Sequence, residues 1–255
     1  MIARDDAGRD IGPAQHRARE RLLTQPDPAK IRKSSDAVVL KGDSLFLLSA
    51  ESGDVPFALP HAHGLFFHDC RFLDGYTLTL NGAPLTVLSA EAVRSVETHH
   101  HLANREQRDA EGRVTLAKNT IEVRRARLIR GAVVHELLSL HNYGAAAAAL
   151  RLELRFRARF EDIFVVKRFV SGPRGSVRPP RVEDGRRVVL SYDGRDGVRR
   201  STTLTFEPPP KELAAERALH ELRLGPGERA DLSIAIQPAE NRAGAAGAGT
   251  RAGAG

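Results

Sequence analysis

The chain has 255 residues, a formal charge of +7, a single Cys (Cys70) and no Trp. One Cys excludes an internal disulfide framework and a Cys-rich zinc site, and no apolar run approaches the roughly 18 residues of a membrane-spanning helix. At 41% hydrophobic residues the chain as a whole is composed to fold.

The positive charge is concentrated. Residues 1–35 carry +3, residues 167–187 carry +5 and residues 237–255 carry +1, which leaves −2 for the rest. A dedicated nucleic-acid surface places a basic patch on a folded face, so no nucleic-acid partner is expected. Basic arms made of the lead and the 167–187 segment are the version of that reading that would survive. The first residues contain no apolar h-region, so secretion is not expected and a cytoplasmic location is.

Residues 1–35 read as a flexible lead. Their periodicity is weak, compatible with at most a short helix at Ala14–Leu23, and Pro13, Pro26 and Pro28 interrupt them. Residues 36–238 read as one β-rich body in which the hydrophobic period is mostly two. The first hairpin is Val38–Leu40 and Leu45–Leu48 around Lys41-Gly42-Asp43-Ser44. The second is Tyr76–Leu80 and Leu85–Leu88 around Asn81-Gly82, the strongest short hairpin signal. Further strands are predicted at Val93–His101, Val114–Val123 and Leu128–Leu140. In Leu150–Phe160 (LRLELRFRARF) Leu, Phe and Ala share one face, while Arg and Glu share the other, the pattern of a strand with one wet face. The segment Ser171–Arg187 is Pro/Gly-rich and basic, and reads as a solvated, mobile hairpin connection, with an anion or partner contact as its alternative. Strands follow at Arg187–Tyr192, Val198–Phe206, Arg217–Leu224 and Ala230–Gln237, although Glu212–Leu224 could begin as a helix. The last residues, 239–255, are Gly/Ala-rich and read as a disordered tail. About ten or more short strands without a βαβ alternation predict an all-β fold, a large antiparallel β-sandwich.

Candidate chemistry is sparse. His99, His100 and His101 are consecutive, so on a strand only His99 and His101 share a face. With His61, His63, His68, Asp69 or Glu97 they could complete a metal site, but nothing in the spacing requires it, and no metal or other cofactor is expected. Glu136 falls on the apolar side of its strand. A carboxylate there needs a partner, and Arg124 or Arg125 could supply it; a general acid is the functional alternative. The densest cluster is Gly64–Leu73 (GLFFHDCRFL). On a strand Asp69 and Arg71 project to one face and Phe72 to the other, which suggests an ion pair at a strand end or a contact with a ligand or domain. Cys70 reads as a small core residue. There is no G-x-S-x-G elbow, Walker loop or dinucleotide fingerprint. The many Asp and Glu residues would supply the two carboxylates that glycoside hydrolysis needs.

The same Gly64–Leu73 stretch resembles a signature in the N-terminal domain of bacterial and archaeal glycogen debranching enzymes, G-L-(aromatic)-x-x-D-T-R-(aromatic)-L. The resemblance continues in order through Tyr76–Gly82 (YTLTLNG), Val123–Arg125, His135-Glu136 with Leu140–Gly144 (LHNYG), and Phe160–Phe164 (FEDIF). Cys70 stands where the family usually has Thr. The resemblance implies a β-rich domain that precedes an (α/α)-barrel domain of the amylo-α-1,6-glucosidase type, which carries the catalytic carboxylates. None of those carboxylates falls within these 255 residues, so no catalytic residue is carried over and the chain is not expected to be an enzyme on its own. It implies a non-catalytic accessory domain whose partner is a helical-barrel glucosidase domain or subunit, with an α-glucan as its ligand context. Phe67, His68, Asp69, Arg71, Glu136 and Asp162 are the interface or ligand candidates. A stand-alone glycan- or protein-binding module is the second reading, and an apolar patch at Phe66, Phe67 or Phe72 would support it. Against strong sugar binding stand the absence of Trp and the presence of only Tyr76, Tyr143 and Tyr192, since sugar rings dock on exposed aromatic faces. A two-carboxylate glycosidase is the third reading.

Overall fold

The computed structural model describes residues 37–58, 62–166 and 175–242. The expected lead, the tail beyond residue 242, His61 and the start of the basic segment lie outside these residues. In chain order the strands are β1 (Ala37–Lys41), β2 (Leu45–Ala50), β3 (Gly64–Phe67), β4 (Cys70–Leu73), β5 (Gly75–Leu80), β6 (Ala83–Pro84) and β7 (Thr86–Arg94). Then come β8 (Glu97–Ala103), β9 (Gln107–Arg108), β10 (Val114–Leu116), β11 (Ile121–Arg130), β12 (Val133–Asn142), β13 (Ala148–Arg157) and β14 (Glu161–Asp162). One helical turn, α1 (Ile163–Val166), precedes β15 (Ser176–Glu183), β16 (Arg187–Asp193), β17 (Val198–Glu207), β18 (Glu212–Ala214), β19 (Arg217–Leu224) and β20 (Arg229–Arg242).

The expected all-β antiparallel architecture is what the chain forms. An eight-stranded sheet has the order β15-β16-β17-β20-β12-β11-β8-β7. Two five-stranded sheets, β18-β19-β13-β5-β6 and β1-β2-β3-β4-β14, complete the sandwich, with a small β9–β10 ribbon beside them. Their residues meet the inner face of the large sheet: Phe156 of β13 lies 6.1 Å from Phe206 of β17, and the Thr202 hydroxyl of β17 donates to the Phe72 carbonyl of β4 at 2.6 Å. Strand β13 shows the alternation read from its sequence, with Leu150, Leu152, Leu154 and Phe156 buried and Arg151 and Arg155 exposed. Burying such a side chain fully stabilises the fold by about 1.5–3 kcal/mol relative to exposure.

Six segments differ from their sequence reading. Val93–His101, Val114–Val123 and Leu128–Leu140 each straddle a turn and divide into two strands. The turns Ser95-Val96 and Gly131-Ala132 carry apolar residues, so the alternation runs across them unbroken; Gly131 turns the chain with φ +57°. Glu212–Leu224 contains no helix but the β18–β19 hairpin. Half of the basic segment is not a loop: Ser176–Glu183 is the edge strand β15, paired with β16. Its Pro179-Pro180 sits where the register shifts between Arg178 and Arg181, and an edge strand tolerates prolines that a central strand would not. Finally, β20 continues to Arg242, four residues past the expected end of the body.

Candidate functional site

The family-like motifs come together in two clusters. In the first, the turn of the β3–β4 hairpin meets β14. Arg71, buried on β4, pairs with Glu161 of β14 and donates to the His63 carbonyl at 3.2 Å. Cys70 opposes Asp162 in the strand register, and the Ile163 amide donates to the Asp69 carbonyl at 2.8 Å. Asp162 caps α1 by accepting from the Phe164 amide at 2.8 Å. GLFFHDCRFL and FEDIF, about 90 residues apart, therefore build one structure. Gly64 opens it because a Cβ there would stand 2.6 Å from Arg71 Cδ and 2.7 Å from the Leu73 carbonyl oxygen.

This geometry changes the reading of several residues. Asp69 is exposed in the turn, and the carboxylate partner of Arg71 is Glu161 rather than Asp69. His68 is exposed at φ +49°, with its ring 4.1 Å from Phe67 and its Nδ1 3.1 Å from Glu240 of β20. Phe66 and Phe72 are buried and Phe67 is half-buried edge-on against Phe72, so these three rings form no exposed apolar patch among the described residues. Burial pushes the Cys70 thiol up to about 12, which suits a core residue and not a nucleophile.

The second cluster is a buried charge network between sheets. Glu136 of β12 is 1% exposed. Its Oε1 accepts from Arg125 Nε at 2.8 Å and Arg127 Nε at 2.9 Å, and its Oε2 accepts from the Tyr76 hydroxyl of β5. Arg125 also donates to Asp54 Oδ1 at 2.6 Å and to the Ser52 carbonyl at 2.9 Å. The Tyr76 ring lies 5.7 and 5.6 Å from the two guanidinium carbons. Burial alone pushes the Glu136 carboxyl up, but the two arginines outweigh it and hold it down at about 2. Of the two arginines weighed from sequence, Arg125 is the partner; Arg124 lies on the outer face with Glu122. Arg127, Tyr76 and Asp54 were not anticipated. Arg127 follows from alternation once the β11–β12 turn is placed, whereas Tyr76 and Asp54 carry no local signal.

A hollow of about 290 Å³ lies on the opposite, outer face of the same strands. Two cross-strand rows line it. One row runs Glu97, Leu128, His135, Ala235, Thr205 through β8, β11, β12, β20 and β17. The next runs His99, Ala126, Leu137, Ser233, Glu207 through the same strands. Small side chains at Ala126, Ser233 and Ala235 make the depression. The Glu97 carboxylate accepts from His99 Nε2 at 3.0 Å. Glu97 and Glu207 stand four strand spacings apart, about 19 Å across the sheet. The buried Arg127–Glu136 pair sits between the two rows and fastens β11 to β12 from below.

With this geometry in place, the comparisons are specific. The sequence profile of the N-terminal domain of (some) glycogen debranching enzymes matches residues 40–235. Among curated proteins no sequence matches. A solved structure described as a kojibiose phosphorylase, from the human microbiome, is similar with a TM-score of 0.55 at 9% identity. The likeness covers 85% of this chain and 32% of that one, so the chain spans about a third of the phosphorylase. A protein described as an aldose 1-epimerase from Escherichia coli K12 aligns with a TM-score of 0.43 at 10% identity, over 80% of this chain and 98% of that one. The profile match spans most of the chain, and the chain belongs to the family of N-terminal domains of glycogen debranching enzymes.

Proposed function

We propose that this chain is a non-catalytic accessory domain of a glycogen-debranching system, residing in the cytoplasm and packing against a helical-barrel glucosidase domain of the amylo-α-1,6-glucosidase type. The match of residues 40–235 to the family profile carries this reading. The fold likeness to about a third of a longer phosphorylase supports a domain that works beside another. The proposal takes the β-sandwich as the functional body. It takes the exposed turn residues His68 and Asp69, with half-buried Phe67 beside them and Asp162 on the adjoining β14, as residues of the contact surface, with Arg71 holding that turn in place. Glu136 serves as an internal anchor.

The state of the carboxylates supports a non-catalytic role. A general acid must hold a proton near neutral pH, whereas Glu136 is held at about 2 and has no solvent exposure. Glu97 and Glu207 of the hollow sit on strands four spacings apart, about 19 Å between backbones, and each is already paired, with His99 and with Arg186. Among the described residues, no helix is long and apolar enough to cross a membrane.

The test has two parts. The purified chain, given a branched glucan limit dextrin, is expected to release no glucose; release that disappears in a folded Glu136→Gln variant overturns the non-catalytic reading. A separately expressed helical-barrel domain of a debranching enzyme is expected to co-elute with this chain. Asp69→Lys should weaken that association while leaving thermal unfolding unchanged, and Asp162→Lys should weaken it too, with the small loss of stability expected from removing the α1 cap.

A further inference from the structure

We propose that the outer hollow of the eight-stranded sheet is a subsite for a neutral saccharide unit, which in the setting proposed above is one or two rings of an α-glucan. The inference rests on that reading for the identity of the sugar, and on the hollow itself for the class of ligand.

The floor is apolar: Ala126, Leu128, Leu137 and Ala235, with Leu137 44% exposed at its centre. Around it stand His99, His135, Thr205 and Ser233, each able to donate and accept hydrogen bonds, and at opposite ends Glu97 and Glu207, which accept. A sugar ring has the matching surface, with C–H faces for the floor and hydroxyls for the rim. His99 already meets Glu97 and the Ser233 hydroxyl donates to the Glu207 carbonyl, but a purely apolar ligand would cover the polar atoms of His135 and Thr205 without offering them a partner, at a cost for each.

The charge pattern does not favour an anion. Among the described residues that line it, Arg127 is the one cation, and its guanidinium turns inward and is 1% exposed; at the edge Arg186 pairs with Glu207 at 3.6 Å, and Glu97 keeps the rim net negative. A phosphorylated sugar would meet two carboxylates and a guanidinium already paired with one of them. The volume, about 290 Å³, is at the lower end of small-ligand pockets. With no aromatic platform in the hollow the affinity is modest, with a dissociation constant on the order of 1 mM.

Titration of the isotope-labelled full chain with maltotriose, followed by amide NMR, tests this. Saturable shifts are expected at residues 97–99, 126–128, 135–137, 205–207 and 233–235. Ala235→Phe and Ala126→Phe project into the hollow from the solvent side and should raise the dissociation constant at least tenfold while leaving the melting temperature within a few degrees. Glucose 6-phosphate should bind no more tightly than glucose. No saturable shift up to 20-fold above the expected constant of about 1 mM, or binding that survives both Phe variants, overturns the proposal. Co-elution with the helical-barrel domain, measured on the same preparations, separates the two readings. Association without maltotriose binding sinks the subsite alone, and maltotriose binding without association sinks the accessory role alone.

Discussion

Replacing Glu136 with Gln keeps the shape of the side chain and removes its charge. In the native protein that carboxylate neutralises two buried guanidiniums, those of Arg125 and Arg127, both about 1% exposed. Asp54, the other acid in the network, bonds Arg125 and not Arg127, so Arg127 would be left as a buried cation without an anion. Breaking a buried pair from one side costs about 3–5 kcal/mol. Titration gives an independent magnitude. The Glu136 carboxyl is held at about 2, below its ordinary 4.5, a difference worth about 3 kcal/mol. Because the native value is depressed, this stability is fully present above pH 4.5 and is lost as pH falls toward 2. Urea unfolding at pH 7 should therefore show Glu136→Gln less stable by about 3–5 kcal/mol, and calorimetry a melting temperature lower by roughly 6–20 °C for a body of this size. Between pH 4.5 and pH 2 the gap between variant and wild type should shrink. A variant within 1 kcal/mol of wild type, or a gap that stays constant across that acid range, would refute the assignment of Glu136 as the charge anchor.

Three further outcomes follow from the same physics. Burial, reinforced by Arg127, lowers His100 to about 4, so unfolding takes up a proton between pH 6.5 and pH 4; stability should fall as pH drops through that range, and His100→Gln should flatten the fall in melting temperature. Cys70, with its thiol near 12, should react with a disulfide reagent at pH 8 at least ~100-fold more slowly in the native protein than in urea, and rapid stoichiometric labelling of the native chain would contradict its core placement. Gly64→Ala forces a methyl group against the Leu73 carbonyl at φ +153°, so the urea midpoint should move by an amount equivalent to about 2–4 kcal/mol; an unchanged midpoint would show that the β3–β4 hairpin relaxes freely.

What could be read from the sequence follows what is local. Leu150–Arg157 announces its strand because period two is a property of neighbours, and Asn81-Gly82 announces its turn because both residues adopt positive φ, +50° and +77°. The inward placement of Glu136 is legible for the same reason. Its partners are only partly so. Arg125 and Arg127 lie across one hairpin, but the sequence reading carried its strand over Gly131-Ala132, where an apolar turn hides the reversal, and Arg127 went unnoticed. Tyr76 is 60 residues away and enters only through the packing of one sheet on another. The link between Arg71 and Glu161 is equally non-local, and Asp69, nearer in sequence, was the more obvious partner. The hollow left no trace at all. Ala126, Ser233 and Ala235 are unremarkable singly, and they become a depression only when five strands bring them into two rows.

The two faces of β11 and β12 explain each other. On the inner face, Arg125 and Arg127 converge on Glu136, and each guanidinium lies against Tyr76. These contacts bridge adjacent strands and also bridge the sheets, so they fix the register as well as the distance. A slip of one residue would turn both arginines and the glutamate outward and bring Ala126, His135 and Leu137 into the core, which would strip the charges of their partners and destroy the rows above them. The outer hollow depends on that register, because its floor consists of the residues between those that carry the charges. A shallow surface built from Ala, Ser and Thr has little packing of its own to hold its shape. The charge network supplies that rigidity from the other side of the same backbone, which gives a structural reason for placing three ionised groups in the interior of a domain whose chemistry, on the reading proposed above, is recognition and not catalysis.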